Sequence, residues 1–233
     1  MSWVSFEHGK RALEMGAYSQ AFEIFKAAVF SGEDPAYYGL CDMALRGKLS
    51  NEQVTELKDM LQTAVREHNG SATYNLAVLL SRAARGFDLD LEKAIDLFNQ
   101  ACGQRIPEAY LALARLYIYD GRNHPLATKP NIVQLLETAM NMGQAEAACL
   151  LGKIHYSKEL TKNPDVSKAV VYFVVASQLG SEEAKRALVV LQTEYAGINF
   201  DRELTQAKTM VRAIKNKAFE EKYESRYDSS SSW

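Results

Sequence analysis

The sequence predicts an all-α protein built as an α-solenoid, five helix pairs in register followed by a capping helix. Three observations carry that prediction. Alanine recurs at Ala28, Ala64, Ala101, Ala139 and Ala176, with spacings of 36, 37, 38 and 37 residues. Apolar residues stand three, four and seven positions before each of these alanines, which is one face of an α-helix. The period-2 alternation of a half-buried strand is not sustained anywhere. A repeat of this length is one supersecondary unit that cannot cover its own apolar face, so the units must stack.

The columns define the elements in order. Three residues before the alanine stand Phe25, Leu61, Phe98, Leu136 and Phe173, and seven before it Ala21, Leu57, Ala94, Ile132 and Ala169. These belong to the second helix of each pair. Eight residues after the alanine a second alanine opens the next first helix, at Ala36, Ala72, Ala109, Ala147 and Ala184. Four further on comes Leu40, Leu76, Leu113, Leu151 or Leu188, and then a smaller residue, Cys41, Ala77, Ala114, Gly152 or Val189. Small residues let two helix backbones approach, and the leucine and aromatic columns fill the space between neighbouring pairs.

The repeats are expected at about 2–34, 35–70, 71–106, 107–143 and 144–180, with a cap at 181–226 and a flexible tail at 227–233, forming a single domain. Punctuation supports these limits. Pro35 and Pro107 precede the opening alanines, and Pro130 and Pro164 are placed at the start of second helices, where the missing N–H costs nothing. Asp34, Ser71, Asn163 and Ser181 are the expected N-caps, and Ser50 with Gln53 has capping-box spacing. Gly32, Gly143 and Gly180 follow second helices, where a left-handed residue is wanted. The longest connection is read as Asp120–Lys129. In the cap, Leu204, Ala207, Val211, Ile214 and Ala218 keep a 3-4-3-4 spacing. The serines before Trp233 read as a frayed end or a docking tail.

Composition narrows the function classes. The 233 residues are 47% hydrophobic and 24% charged, with a formal net charge of -2. That charge predicts neither nucleic-acid nor membrane attraction. Lys208, Arg212, Lys215 and Lys217 are followed by acidic Glu220, Glu221 and Glu224, the pattern of a solvated helix face. The first residues carry neither the basic nor the apolar region of a secretory signal, and no apolar run is long enough to span a bilayer. A cytoplasmic location is therefore expected. Cys41, Cys102 and Cys149 have no metal or redox spacing and are expected to be free thiols, largely buried.

The sequence carries no recognisable catalytic or metal-binding pattern. His8, His68, His124 and His155 fall in different repeats, and no zinc, Walker or nucleophile-elbow motif occurs. His155 stands in the column that holds Tyr117 one repeat earlier, so it is expected to be a packing residue. No cofactor is expected.

A family resemblance adds to this reading. Gly9–Ala21, with the turn at Gly16-Ala17-Tyr18, then Phe25 and Ala28, resembles the tetratricopeptide repeat. Ala147–Tyr156, followed by Ser167–Phe173 and Ala176–Gly180, is similar to the Sel-like branch of that superfamily, as are Leu113–Tyr117 and Glu92–Ala94. The resemblance spans residues 1 to about 195. It implies a right-handed solenoid acting as a scaffold or adaptor for proteins or peptides, in a family with many bacterial members. It also implies that first helices line a concave groove with the residues two, six and ten positions after the opening alanine. Carried over by register, these include Phe6, Lys10 and Glu14; Tyr38, Asp42 and Arg46; Tyr74, Val78 and Arg82; Leu111, Arg115 and Tyr119; and Cys149, Lys153 and Ser157, with Tyr156 at the edge. The mixture of tyrosine with arginine and lysine suits an acidic peptide. Two other readings stay open: an exported bacterial effector acting on host proteins, and an enzyme or sensor with a small ligand in the groove.

Overall fold

Every regular element is helical in the computed structural model, which describes residues 3–120, 123–157 and 163–228. The order is α1 (Trp3–Glu14), α2 (Tyr18–Phe30), α3 (Pro35–Leu45), α4 (Asn51–Arg66), α5 (Gly70–Ser81), α6 (Leu91–Gly103), α7 (Pro107–Tyr119), α8 (Lys129–Asn141), α9 (Ala145–Tyr156), α10 (Val166–Gln178), α11 (Glu182–Glu194) and α12 (Asp201–Asp228). The predicted tail Ser229–Trp233 lies outside the described residues. Packing divides the chain into two units, Met1–Leu113 and Ala114–Trp233, with the division inside α7.

In the first unit α1 packs on α2 and α3, α2 on α3, and α5 on α3, α4 and α6. The repeat columns make this core: Ala21, Ala28, Ala36, Ala64, Ala72, Ala94 and Ala101 are buried, as are Phe25, Leu61 and Phe98. Glycine in the first helices has a direct steric reason. A Cβ placed on Gly9 of α1 would lie 2.6 Å from the Phe25 ring, and one on Gly39 of α3 would lie equally close to the same ring. Two helices thus clasp one aromatic ring because each presents a bare backbone to it.

The second unit repeats the logic. α9 packs on α8 and α10, and α10 also carries α11 and α12. Gly152 of α9 admits the Phe173 ring of α10, which a Cβ would meet at 2.7 Å. The expected cap forms, and α12 buries Ala207, Val211 and Ile214 while packing on α10. Leu204 and Ala218, at the two ends of that stripe, remain exposed. In α11 the apolar column continues, but Val189 and Val190 are exposed.

The joints between repeats explain the constancy of the alanine column. Ala28, Ala64, Ala101, Ala139 and Ala176 accept from the backbone N–H of Glu33, Asn69, Ile106, Gln144 and Ser181 at 2.9–3.1 Å. Each pair is the outer bond of a Schellman motif, in which the residue after a left-handed position reaches back into the last helical turn. Gly32, Gly143 and Gly180 take the left-handed position as predicted, with φ of 81°, 90° and 106°. His68 and Arg105 take it in the other two joints, with φ of 60° and 59°.

The helix starts correct several sequence expectations. The N-cap of α5 is Asn69, whose side chain accepts from the Ala72 N–H at 2.8 Å, and Ser71 is already inside the helix. The N-cap of α10 is Asp165, not Asn163, so Pro164 stands before the helix rather than in its first turn. Asp34 occupies the cap position of α3, yet its carboxylate makes no cap bond and accepts from Asn69 Nδ2 at 2.8 Å instead. Ser181 and the Ser50–Gln53 capping box form as expected. The connection after Tyr119 is matched in length by 82–90 and 157–165. The 82–90 segment is packed: Phe87 is buried, and the Lys58 ammonium lies 5.4 Å from its ring centre.

Candidate interaction surfaces

The inward positions of the first two first helices meet at one cleft in the first unit. Phe6, Lys10 and Glu14 from α1 face Tyr38, Asp42 and Arg46 at α3, around a cavity of about 400 Å³. Register places these six at the two-, six- and ten-residue offsets, and the packing of α1 against α3 brings both sets to the same opening. Position 39, on the α3 side of the cleft, is a glycine. The corresponding positions in later repeats hold Asn75, Ala112 and Leu150. Gly39 and the Phe25 ring, both buried, back the wall, with Leu13 and Tyr18 beside them.

Charge around this cleft is ordered. Arg46 holds Asp42 through a 2.9 Å ion pair along α3. The Lys48 ammonium lies 4.8 Å from the centre of the Tyr18 ring, a cation–π arrangement. Tyr38 is 61% exposed at the rim, unusually open for a large aromatic side chain. Leu13, Tyr18, Phe25, Gly39 and Lys48 fall outside the offset rule: Leu13 and Gly39 stand at other positions of the first helices, Tyr18 and Phe25 belong to α2, and Lys48 follows α3. A lone glycine three residues after an opening alanine is the sequence signal that could have found the cleft.

The remaining inward residues of the first unit behave differently. Tyr74 lays its ring against Phe98, with centres 5.9 Å apart, so part of it belongs to the core. Val78 is half-buried, and Arg82 ends α5 as its C-cap and is exposed. Leu111 is buried.

In the second unit the predicted cations face carboxylates of the next helix pair. Arg115 pairs with Glu146 at 2.7 Å, and Lys153 pairs with Glu183 at 2.7 Å. Both glutamates stand one residue before an opening alanine, so stacking creates this ladder. Burial alone would lower the Lys153 ammonium, but the Glu183 hydrogen bond and charge outweigh it and raise its pKa. The Lys153 hydrogen bond holds Glu183 below the usual carboxylate range. Cys149 is buried and donates to Glu183 at 3.6 Å. Tyr156 donates its hydroxyl to Glu194, which pushes the phenol up to about 12. Tyr119 is exposed, and Ser157 is the C-cap of α9.

The cysteines and two of the histidines are packing groups. Burial raises the Cys41 thiol far above its ordinary range, and it pushes Cys102 up to about 12. Burial leads the upward shift of Cys149 as well. Neither Cys102 nor Cys149 is thus poised as a thiolate at neutral pH. His155 stacks on Tyr172, as Tyr117 stacks on His124. Among the described residues no group of three or more His, Cys, Asp or Glu is placed to hold a metal ion.

No protein-family model and no curated protein matches this chain. Solved structures do. The chain is similar to a Sel1 repeat protein from Oxalobacter formigenes, with a TM-score of 0.63 and 20% identity over 91% of this chain and 84% of that one. It is also similar to an immunity protein from Pseudomonas aeruginosa, with a TM-score of 0.52 and 15% identity over 85% of this chain and 74% of that one. The fold is therefore that of the Sel1-like repeat, an α-solenoid of antiparallel helix pairs. At such identities the likeness is one of fold, and the site must be read from the residues of this chain.

Proposed function

We propose that the chain is a non-catalytic scaffold that binds a protein or peptide partner through the inward side of its first helices. One observation carries this reading: the inward offsets of α1 and α3 converge on a single cleft that pairs an apolar wall with an exposed tyrosine and charged rim. Tyrosine and arginine at a partly enclosed site are the residue types that dominate interface energetics. The similar structures both come from bacteria, which supports a bacterial origin. Among the described residues no helix is long and apolar enough to cross a membrane, and a cytoplasmic setting is part of the proposal.

The test is a pull-down from native lysate with immobilised wild type, Tyr38→Ala, Arg46→Glu and Phe30→Ala. Phe30 is exposed on another side, beside Val29, Tyr37 and Met60, and serves as the control. Loss of one common partner in the first two variants, with retention by Phe30→Ala, is expected. A central hot spot corresponds to about 2 kcal/mol or more per truncated anchor. Retention by all variants overturns the reading.

A small-ligand reading also has one observation behind it. The cleft volume lies within the range of about 300–1,000 Å³ common for small-molecule sites. A thermal-shift panel of metabolites separates the two, since a bound ligand at 100 times its Kd adds roughly 2.7 kcal/mol to stability.

A further inference from the structure

We infer that the cleft between α1 and α3 takes a large apolar side chain from an internal stretch of a partner polypeptide, with acidic residues on either side of it. This rests on the peptide-binding reading above and assigns the chemistry of its partner. The wall explains the apolar anchor. Phe6 and Leu13 line the cleft beside Tyr18, and the Phe25 ring, buried against Gly39, backs the wall. The exposed Tyr38 ring stands at the mouth, where it can close over an inserted side chain. A cavity of about 400 Å³ holds one or two side chains and excludes a whole helix, whose diameter is about 10–12 Å.

The rim explains the acidic flanks. Its charged groups are Lys10, Arg46 and Lys48 against Glu14 and Asp42. Asp42 is already neutralised by Arg46 at 2.9 Å, which leaves two ammonium groups facing one carboxylate. Lys48 is held in place over Tyr18 at 4.8 Å, so its charge is presented at the rim with little freedom left to lose on binding. Carboxylates on both sides of the anchor complement this rim, and lysines there meet like charge.

The experiment measures binding of the full chain to fluorescent peptides blocked at both ends, so that terminal charges play no part. Each has a central leucine or phenylalanine, flanked by aspartates in one set and by lysines in the other. The aspartate set should bind about tenfold more tightly than the lysine set at low salt, and added salt should narrow the gap. Lys48→Glu should abolish or reverse the preference while the chain stays folded, its thermal midpoint falling by no more than the loss of one exposed cation–π contact allows. Replacing the central residue by glycine should remove binding of the aspartate set.

Equal affinity for both sets, or an unchanged preference in Lys48→Glu, overturns the assignment. So does tighter binding of the lysine set. If no blocked peptide binds while Tyr38→Ala still releases the native partner, the acidic-flank assignment fails and the scaffold reading stands. If no cleft variant releases that partner either, both fail.

Discussion

His68 holds a backbone conformation that its side chain makes costly. With φ of 60° it fills the left-handed position of the joint between α4 and α5, which glycine fills in three of the five joints. An L-residue there costs roughly 1–2 kcal/mol from the approach of Cβ to the carbonyl, part of which glycine returns as greater freedom in the unfolded chain. His68 is exposed, so little packing is lost with its side chain. His68→Gly should therefore raise stability by about 0.5–1 kcal/mol, read as a higher urea midpoint at unchanged slope. The contrasting case is Gly39, where an added Cβ would meet the Phe25 ring at 2.6 Å. Gly152 stands out in the sequence through the small-residue column, and Gly9 through the tetratricopeptide resemblance. Gly39 does not, because its importance depends on which ring lies opposite, and a helical period names a face without naming its neighbour.

At the scale of the element, each joint serves two helices with one short stretch of backbone. Asn69 is the fullest example. Its N–H closes the Schellman motif on Ala64, its side-chain oxygen caps α5 at the Ala72 N–H, and its side-chain nitrogen donates to Asp34 of the preceding joint. Asn69→Ala removes the last two and should cost about 1–2 kcal/mol by denaturant unfolding. Ser71→Ala, the cap suggested by sequence, should change stability by less than about 0.5 kcal/mol, as surface substitutions usually do. Periodicity located every described helix pair, because burial of one face is what the columns record. It misplaced the caps at Ser71 and Asn163, since several polar residues cluster at each joint and only backbone geometry selects one. The same limit hid the partners of Arg115 and Lys153. Glu146 and Glu183 lie about one repeat further along the chain, and only stacking brings them within 2.7 Å.

For the molecule as a whole, the question is whether apolar columns or charge ladders hold the pairs together. The cross-pair ion pairs are open to solvent: Arg115 and Glu146 are 44% and 49% exposed, and Lys153 and Glu183 are 39% and 53% exposed. Pairs so exposed contribute about 0–1 kcal/mol each and are screened by salt. The net charge of -2 offers no large self-repulsion for salt to relieve. Most column residues, by contrast, are buried, among them Phe25, Leu57, Leu113, Phe173 and Ala184. Raising sodium chloride from about 0.05 M to 0.5 M should therefore move the urea midpoint little, by less than about 1 kcal/mol in stability. A single charge set into a column should act far more strongly. Val211 is buried in the stripe with which α12 packs on α10, and Val211→Asp places a carboxylate there without a partner. Burying such a group, or lifting α12 to hydrate it, should cost about 3 kcal/mol or more in the second unit. Unfolding of the second unit can be followed at Tyr172, whose phenol is held up at about 12 by burial and the Glu137 carboxylate of α8 and returns toward 10 in an unfolded chain. A strong salt dependence combined with a mild effect of Val211→Asp would mean that the ladders, and not the columns, carry the fold.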